Sequence, residues 1–167
     1  MISSATLHLM AVPAAEQVDS VADLTSMEQI SATFSEISSE IFLVKLVAVG
    51  NTRQALAKLQ TLLELQNEPI LITGALIGNY LDIYRAFLAK KSRRPLADLA
   101  KDFKYTGKWN YRLGNADQTA ARFQRSQIEE SLRILQKLDL DLKGSRLDAP
   151  LLMQKAICEL SLARSRA

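Results

Sequence analysis

Apolar residues recur along this chain at steps of three and four rather than two, from about position 25 almost to the end. That period puts them on one face of an α-helix, and no alternating run long enough for a strand appears. Thr25 followed by Glu28 has capping-box spacing and opens a short helix to about Phe34. Ile41, Phe42, Val44, Leu46 and Val47 crowd the next helix, which is expected to be buried on most sides before Gly50-Asn51 stops it. Asn51 then caps a helix whose stripe is Ala55, Leu56, Leu59, Leu62 and Leu63, so the two helices form an antiparallel hairpin.

Asn67 and Pro69 open a long helix carrying Ile72, Leu76, Tyr80, Ile83 and Phe87 on one face and ending in Lys90-Lys91-Ser92-Arg93-Arg94. Pro95 restarts a short helix through Phe103, after which Gly107 and Gly114 bracket a segment expected to be irregular. Ser126 with Glu129 repeats the capping-box spacing, Ile128, Leu132, Leu135 and Leu142 form the next buried stripe, and Gly144 ends it. Asp148 and Pro150 begin the last helix, with Leu152, Ala156 and Leu160 as its apolar face. The pattern predicts an all-α fold, a compact helical bundle of six to eight helices over residues 25–163. It is preceded by a helical remnant and linker over 1–24 and followed by a frayed tail over 164–167 that holds Arg164 and Arg166.

Length and composition fit this picture. A chain of 167 residues buries roughly 70% of its unfolded surface, and the low Gly and Pro content favours helix. Cys158, the only cysteine, excludes an internal disulfide or a thiolate zinc cage and reads as a small buried hydrophobe. Leu7 to Val12 is too short and lacks the basic flank of a signal peptide, so the protein is expected to be cytoplasmic. Pro69 to Leu81, the longest apolar stretch, falls short of the roughly 20 residues of a membrane span. Its Gly74-x-x-x-Gly78 spacing suits the close approach of two helices.

Charge is distributed unevenly. Residues 1–67 carry 3 basic and 7 acidic side chains, residues 68–167 carry 18 and 11, so the basic character lies in the second part. A basic surface suits anionic partners, with a merely solvated face as the alternative. Lys104, Tyr105, Lys108, Trp109, Tyr111 and Arg112 interleave cations with aromatic rings, a mixture suited to single-stranded DNA. Trp109 would stack on a base while Lys108 and Arg112 hold phosphate; the competing possibility is that Trp109 plugs the bundle. Pro95 to Ala116 also imitates a helix-turn-helix, which makes a small DNA-binding regulator the alternative function, with a free helical scaffold behind it.

Catalytic chemistry finds little material. The single histidine, His8, lies in the weakly patterned N-terminal stretch, no phosphate-cradling G-x-x-x-x-G-K-[ST] loop exists, and Asp139, Asp141 and Lys143 read as exposed helix charges. No catalytic residue, cofactor or metal is expected.

From Gly50-Asn51-x-x-x-Ala55-Leu56 onward the order of motifs resembles the delta subunit of DNA polymerase III, specifically its C-terminal collar domain. The carriers are Phe42, Gly50-Asn51, Ala55-Leu56, Glu68-Pro69, Tyr84-Arg85, Leu99-Ala100, Trp109 to Asn115, Asp139 to Lys143, and Asp148, over roughly Thr25 to Leu162. The chain departs from the family at Met153-Gln154, where a Leu-Glu pair is usual. It also lacks the family's two AAA+ regions, so Leu7-His8-Leu9-Met10 reads as the tail of the last lid helix.

The resemblance implies a non-catalytic part of the DNA polymerase III holoenzyme in a bacterial cytoplasm. This part would join gamma or tau and delta prime subunits in the clamp loader and lie near primer–template DNA. The sliding clamp would be reached only through the missing AAA+ part. Tyr84, Arg85, Lys143 and Arg146 are the candidate subunit-interface residues, with capping or packing within the domain as the alternative for each.

Overall fold

The computed structural model describes residues 39–166, within a compact unit spanning Ser39–Ala167. The expected helix at Thr25 to Phe34, the 1–24 remnant and His8 lie outside the described residues. Among the described residues there are seven helices and no strand. They are α1 (39–49), α2 (Thr52–Glu64), α3 (Pro69–Lys91), α4 (Leu96–Asp102), α5 (Trp109–Ala120), α6 (Arg125–Gly144) and α7 (Ala149–Ser165).

The boundaries follow local chemistry. Gly50 takes φ +81 and closes α1 with bonds from Gly50 N to Val47 O and from Asn51 N to Leu46 O, the paired bonds that satisfy the last carbonyls of a helix. Asn51 Oδ1 then accepts from Gln54 N at 3.3 Å to start α2. Pro69 occupies the first turn of α3, where its missing N–H costs nothing. Asp148 caps α7 through Leu151 N at 3.3 Å. The start of α6 departs from expectation: its cap is Gln124, two residues before the expected Ser126, and Gln127 Oε1 accepts from Gln124 N at 2.8 Å.

Helix α3 is the centre. It packs chiefly on α6 and α5, α6 packs on α7, and α2 lies against α7, where Thr52 Oγ1 meets Ser161 Oγ at 2.5 Å. Ile72, Leu76, Tyr80 and Ile83 are buried as the spacing predicts, Phe87 is half-buried, and they join Leu59, Leu62, Ile128, Leu135 and Ile157 in one core. Tyr80 meets Phe123 edge to face, with centroids 6.2 Å apart. A second, smaller core of Ala89, Leu99, Ala100 and Leu113 lies where α4 and α5 meet the end of α3.

Four other expectations are corrected. The segment between Gly107 and Gly114 is not irregular: after Gly107, at φ +67, it enters α5, and Gly114 sits inside that helix. Its buried stripe is Leu113, Ala116 and Ala120, too small in side chain to announce itself. Helix α1 is buried on one side only, with Leu43, Val44, Leu46 and Val47 inside and Ile41, Phe42 and Val49 exposed. Cys158 is exposed, because the buried face of α7 runs through Ala156, Ile157 and Leu160 and leaves position 158 outside. No helix closes on Gly74 or Gly78, where an added Cβ would meet nothing within 4 Å.

The tail expectation also changes at Arg164. It lies within α7, its Nη1 donates to Ala48 O, and its guanidinium sits 4.8 Å from the Phe123 ring. Its own carbonyl accepts from Gln127 Nε2 at 2.6 Å. The last turn of α7 is thereby tied to α1 and α6 through a polar contact that hydrophobic periodicity does not register.

These environments give two glycines opposite signs. Gly50→Ala forces a Cβ to 3.0 Å from Arg164 Cδ at a left-handed φ and should lower stability by about 1–2 kcal/mol. Gly74→Ala, in open space on a helix, should raise it by about 0.5–1 kcal/mol. Urea titrations of the two variants check the pair; equal shifts would contradict it.

Candidate functional site

Helix α3 ends in Lys90 and Lys91, and the chain turns through Arg93, at φ 54, into α4. Lys101 lies in the last turn of α4, Lys104 takes φ 54 in the α4–α5 connection, and Lys108 caps α5 without a side-chain bond to its backbone. Basic side chains thus gather on one continuous stretch, and among the described residues Arg94 is the member of this group paired with an acid, Asp102, at 2.6 Å.

Beneath this surface lies a buried carboxylate. Asp82 on α3 is 2% exposed and accepts from Arg112 Nε of α5 at 2.5 Å and from the hydroxyl of Tyr105 in the α4–α5 connection. Arg85, one turn further along α3, donates to the same Tyr105 hydroxyl at 2.9 Å and stands 3.8 Å from Asp82. Burial, and next the bond to Asp82, pushes the Tyr105 hydroxyl pKa up. One acid therefore joins three elements, and the arginines stay paired where an isolated buried charge would be costly.

The sequence did not single out Asp82. Its partners lie 23 and 30 residues away, beyond any local pattern, and the available signal was an acid on the 82, 86, 89 face of α3, whose other members, Ala86 and Ala89, are buried.

The expected DNA-contact residues separate in this geometry. Lys108 is exposed. Trp109 is half-buried and packs on the small core of Leu99 and Leu113, as its competing packing role requires. Arg112 is exposed but committed through Nε to Asp82. Tyr111 is the exposed ring of the group, and its hydroxyl accepts from Lys45 of α1 at 3.4 Å.

The expected interface residues also divide. Tyr84 donates to Glu129 of α6 at 2.9 Å, and Arg125, the larger influence, together with Tyr84 holds the Glu129 carboxyl below its usual range. Tyr84 and Arg85 are both half-buried in contacts within the domain. Lys143, exposed near the end of α6, pairs with Asp139 at 2.7 Å, and Arg146 is exposed in the α6–α7 connection. Leu140, Leu147 and Leu151, all exposed, surround these last two in the chain. A separate groove of about 550 Å³, lined by Phe87, Leu88, Lys91, Phe123, Gln124 and Arg125, runs beside the end of α3.

Among the described residues no His, Cys, Asp and Glu cluster is arranged to hold a metal, and no helix is long and apolar enough to cross a membrane. The helical order, the break at Gly50-Asn51 and the α3 start at Pro69 set the frame for comparison. Residues 38–160 match the family described as DNA polymerase III delta subunit, C-terminal domain.

The chain belongs to that family.

Membership assigns it to a delta-subunit domain of the replication machinery. Among solved structures, the delta domain is similar to the Bacillus subtilis DNA clamp loader delta protein (YqeN), at 18% identity with a TM-score of 0.66. The likeness covers 74% of this chain and 36% of that one, and at such identity it carries the fold alone. The delta domain therefore spans little more than a third of that protein's length. No curated protein matches the sequence.

Proposed function

We propose that this delta domain is a collar element, which joins gamma or tau and delta prime subunits in a bacterial, cytoplasmic clamp loader that places the sliding clamp on primed DNA. The observation that carries the reading is the family match across 38–160 on an all-helical unit. The clamp itself would be gripped by the AAA+ part of a delta subunit and not by this domain. A role in holding subunits together draws on broad apolar helix surface rather than a reactive group. Exposed Leu140, Leu147 and Leu151 beside Lys143 and Arg146 offer such a surface at the α6–α7 connection.

Mixing the purified chain with gamma or tau and delta prime subunits tests this by size-exclusion chromatography. Co-elution, and competition with a full-length delta subunit, are expected, without ATP hydrolysis by the chain alone. Failure to associate, or a preference for one duplex sequence, would favour a helix-turn-helix regulator built on Pro95 to Ala116.

Within the assembled loader, the basic-aromatic segment would face primer–template DNA. Trp109→Ala should weaken primer–template binding by about 1–3 kcal/mol, and Lys108→Ala should reduce the salt slope by about one. Because Trp109 also packs on Leu113, the melting temperature of the isolated domain is measured alongside. Unchanged DNA affinity in both variants would leave Trp109 as a packing residue only.

A further inference from the structure

Asp82 is buried, but the two guanidinium groups it attracts are not buried with it: the side chains of Arg112 and Arg85 are 57% and 29% exposed. Each turns one nitrogen inward. Arg112 uses Nε on Asp82 Oδ2, and Arg85 uses Nη1 on the Tyr105 hydroxyl. The other nitrogens of both forks make no hydrogen bond within the described residues. Arg85 and Arg112 lie 5.9 and 5.0 Å respectively from the Tyr105 ring centroid, and Arg85 also lies 4.2 Å from the ring of half-exposed Phe103.

Two forks, one bonded to the carboxylate and the other to the tyrosine hydroxyl that donates to it, form a receptor for a tetrahedral oxyanion. A guanidinium offers planar, paired donors that match phosphate oxygens, and fixing it beforehand removes the entropy cost of ordering it on binding. The charges favour an anion as well: two arginines against one acid leave a net positive centre, and Lys101, Lys104 and Lys108 follow on the same stretch of chain. The apolar ring of Phe103 beside the forks favours a ligand that carries a flat base next to its phosphate.

We propose that Arg85 and Arg112, each anchored on the Asp82–Tyr105 pair, clamp one backbone phosphate of a single-stranded nucleic acid, with Phe103 contacting the adjoining base. This rests on the nucleic-acid reading of the α4–α5 segment and moves its centre from Trp109 to the forks around Asp82. Asp82 is a positioning residue in this scheme, since it touches the arginines and not the strand.

The test is fluorescence anisotropy of a labelled oligothymidine titrated with the full 167-residue chain across a salt series. Arg85→Lys and Arg112→Lys keep the charge but lose the fork, and each should weaken binding about tenfold at nearly unchanged salt slope. Arg85→Gln and Arg112→Gln should also lower the slope by about 0.7 each. Arg53→Gln, at an exposed position of α2, should bind as the parent does.

Asp82→Asn discriminates most sharply. Removing an acid near a polyanion tightens binding if only net charge matters, whereas loss of the positioning contact weakens it. Tightening by Asp82→Asn, or parental affinity in both lysine variants, overturns the clamp. If Asp82→Asn fails to fold by thermal melting, the lysine variants decide alone. Parental binding that is lost only in Lys108→Gln would remove the clamp and keep the nucleic-acid reading; absence of salt-dependent binding by the parent would remove both.

Discussion

Leu76→Asp should abolish the cooperative unfolding transition of this domain. Leu76 is 1% exposed at the middle of α3, the helix that α4, α5, α6 and α7 all contact. Deleting a buried leucine side chain alone costs about 2–5 kcal/mol. The carboxylate put in its place has no cation among the surrounding Ile72, Tyr80 and Ile83, so an uncompensated charge adds to that loss. The sum is comparable with the roughly 5–15 kcal/mol that holds an ordinary domain together. Leu71→Asp, on the exposed side of the same helix, should stay within about 0.5 kcal/mol of the parent. Thermal melts followed by circular dichroism distinguish the two, and a parental melt for Leu76→Asp would show that α3 is not the centre of the core.

The second large effect is at Tyr80. It is fully buried and packs edge to face on Phe123, so Tyr80→Ala should cost about 3–5 kcal/mol while Tyr80→Phe, which removes only the hydroxyl, costs about 0.5–1.5 kcal/mol. Burial pushes the Tyr80 hydroxyl up to about 12, from 10.0. A raised folded-state value means that this contribution is fully present below pH 10 and is lost as pH rises through about 12. The stability gap between the parent and Tyr80→Phe should therefore shrink over that window. A gap that stays constant in alkaline urea titrations would show that the hydroxyl titrates as freely in the folded state as in the unfolded chain.

Much of this architecture was legible because long side chains at helical spacing carry it. Ile72, Leu76, Tyr80 and Ile83 identified the buried face of α3, and Gly50, Asn51, Pro69, Gly144 and Asp148 marked the helix ends where they occur. Helix α5 was hidden because Ala116 and Ala120 give a weak apolar signal among Asn, Asp, Gln and Thr. The cap of α6 was misplaced because two glutamines, ordinary surface residues, form it. The alternation of cations and rings from Lys104 to Arg112 drew attention to a candidate surface, but Asp82 organises it from another helix. Long-range polar contacts of this kind, like the reach of Arg164 to Ala48, have no period and leave no trace in a local window.

The contact between Arg164 and α1 bears on when the domain can finish folding during synthesis. Ala48 leaves the ribosome 116 residues ahead of the side chain that secures its carbonyl. Helices α3 to α6 can assemble locally as they emerge, but α1 must wait for the final turn of α7 before its end is latched. Nascent chains arrested before Arg164 should consequently hold a protease-sensitive α1 beside an already protected α3, and α1 should become protected only once Arg164 has emerged.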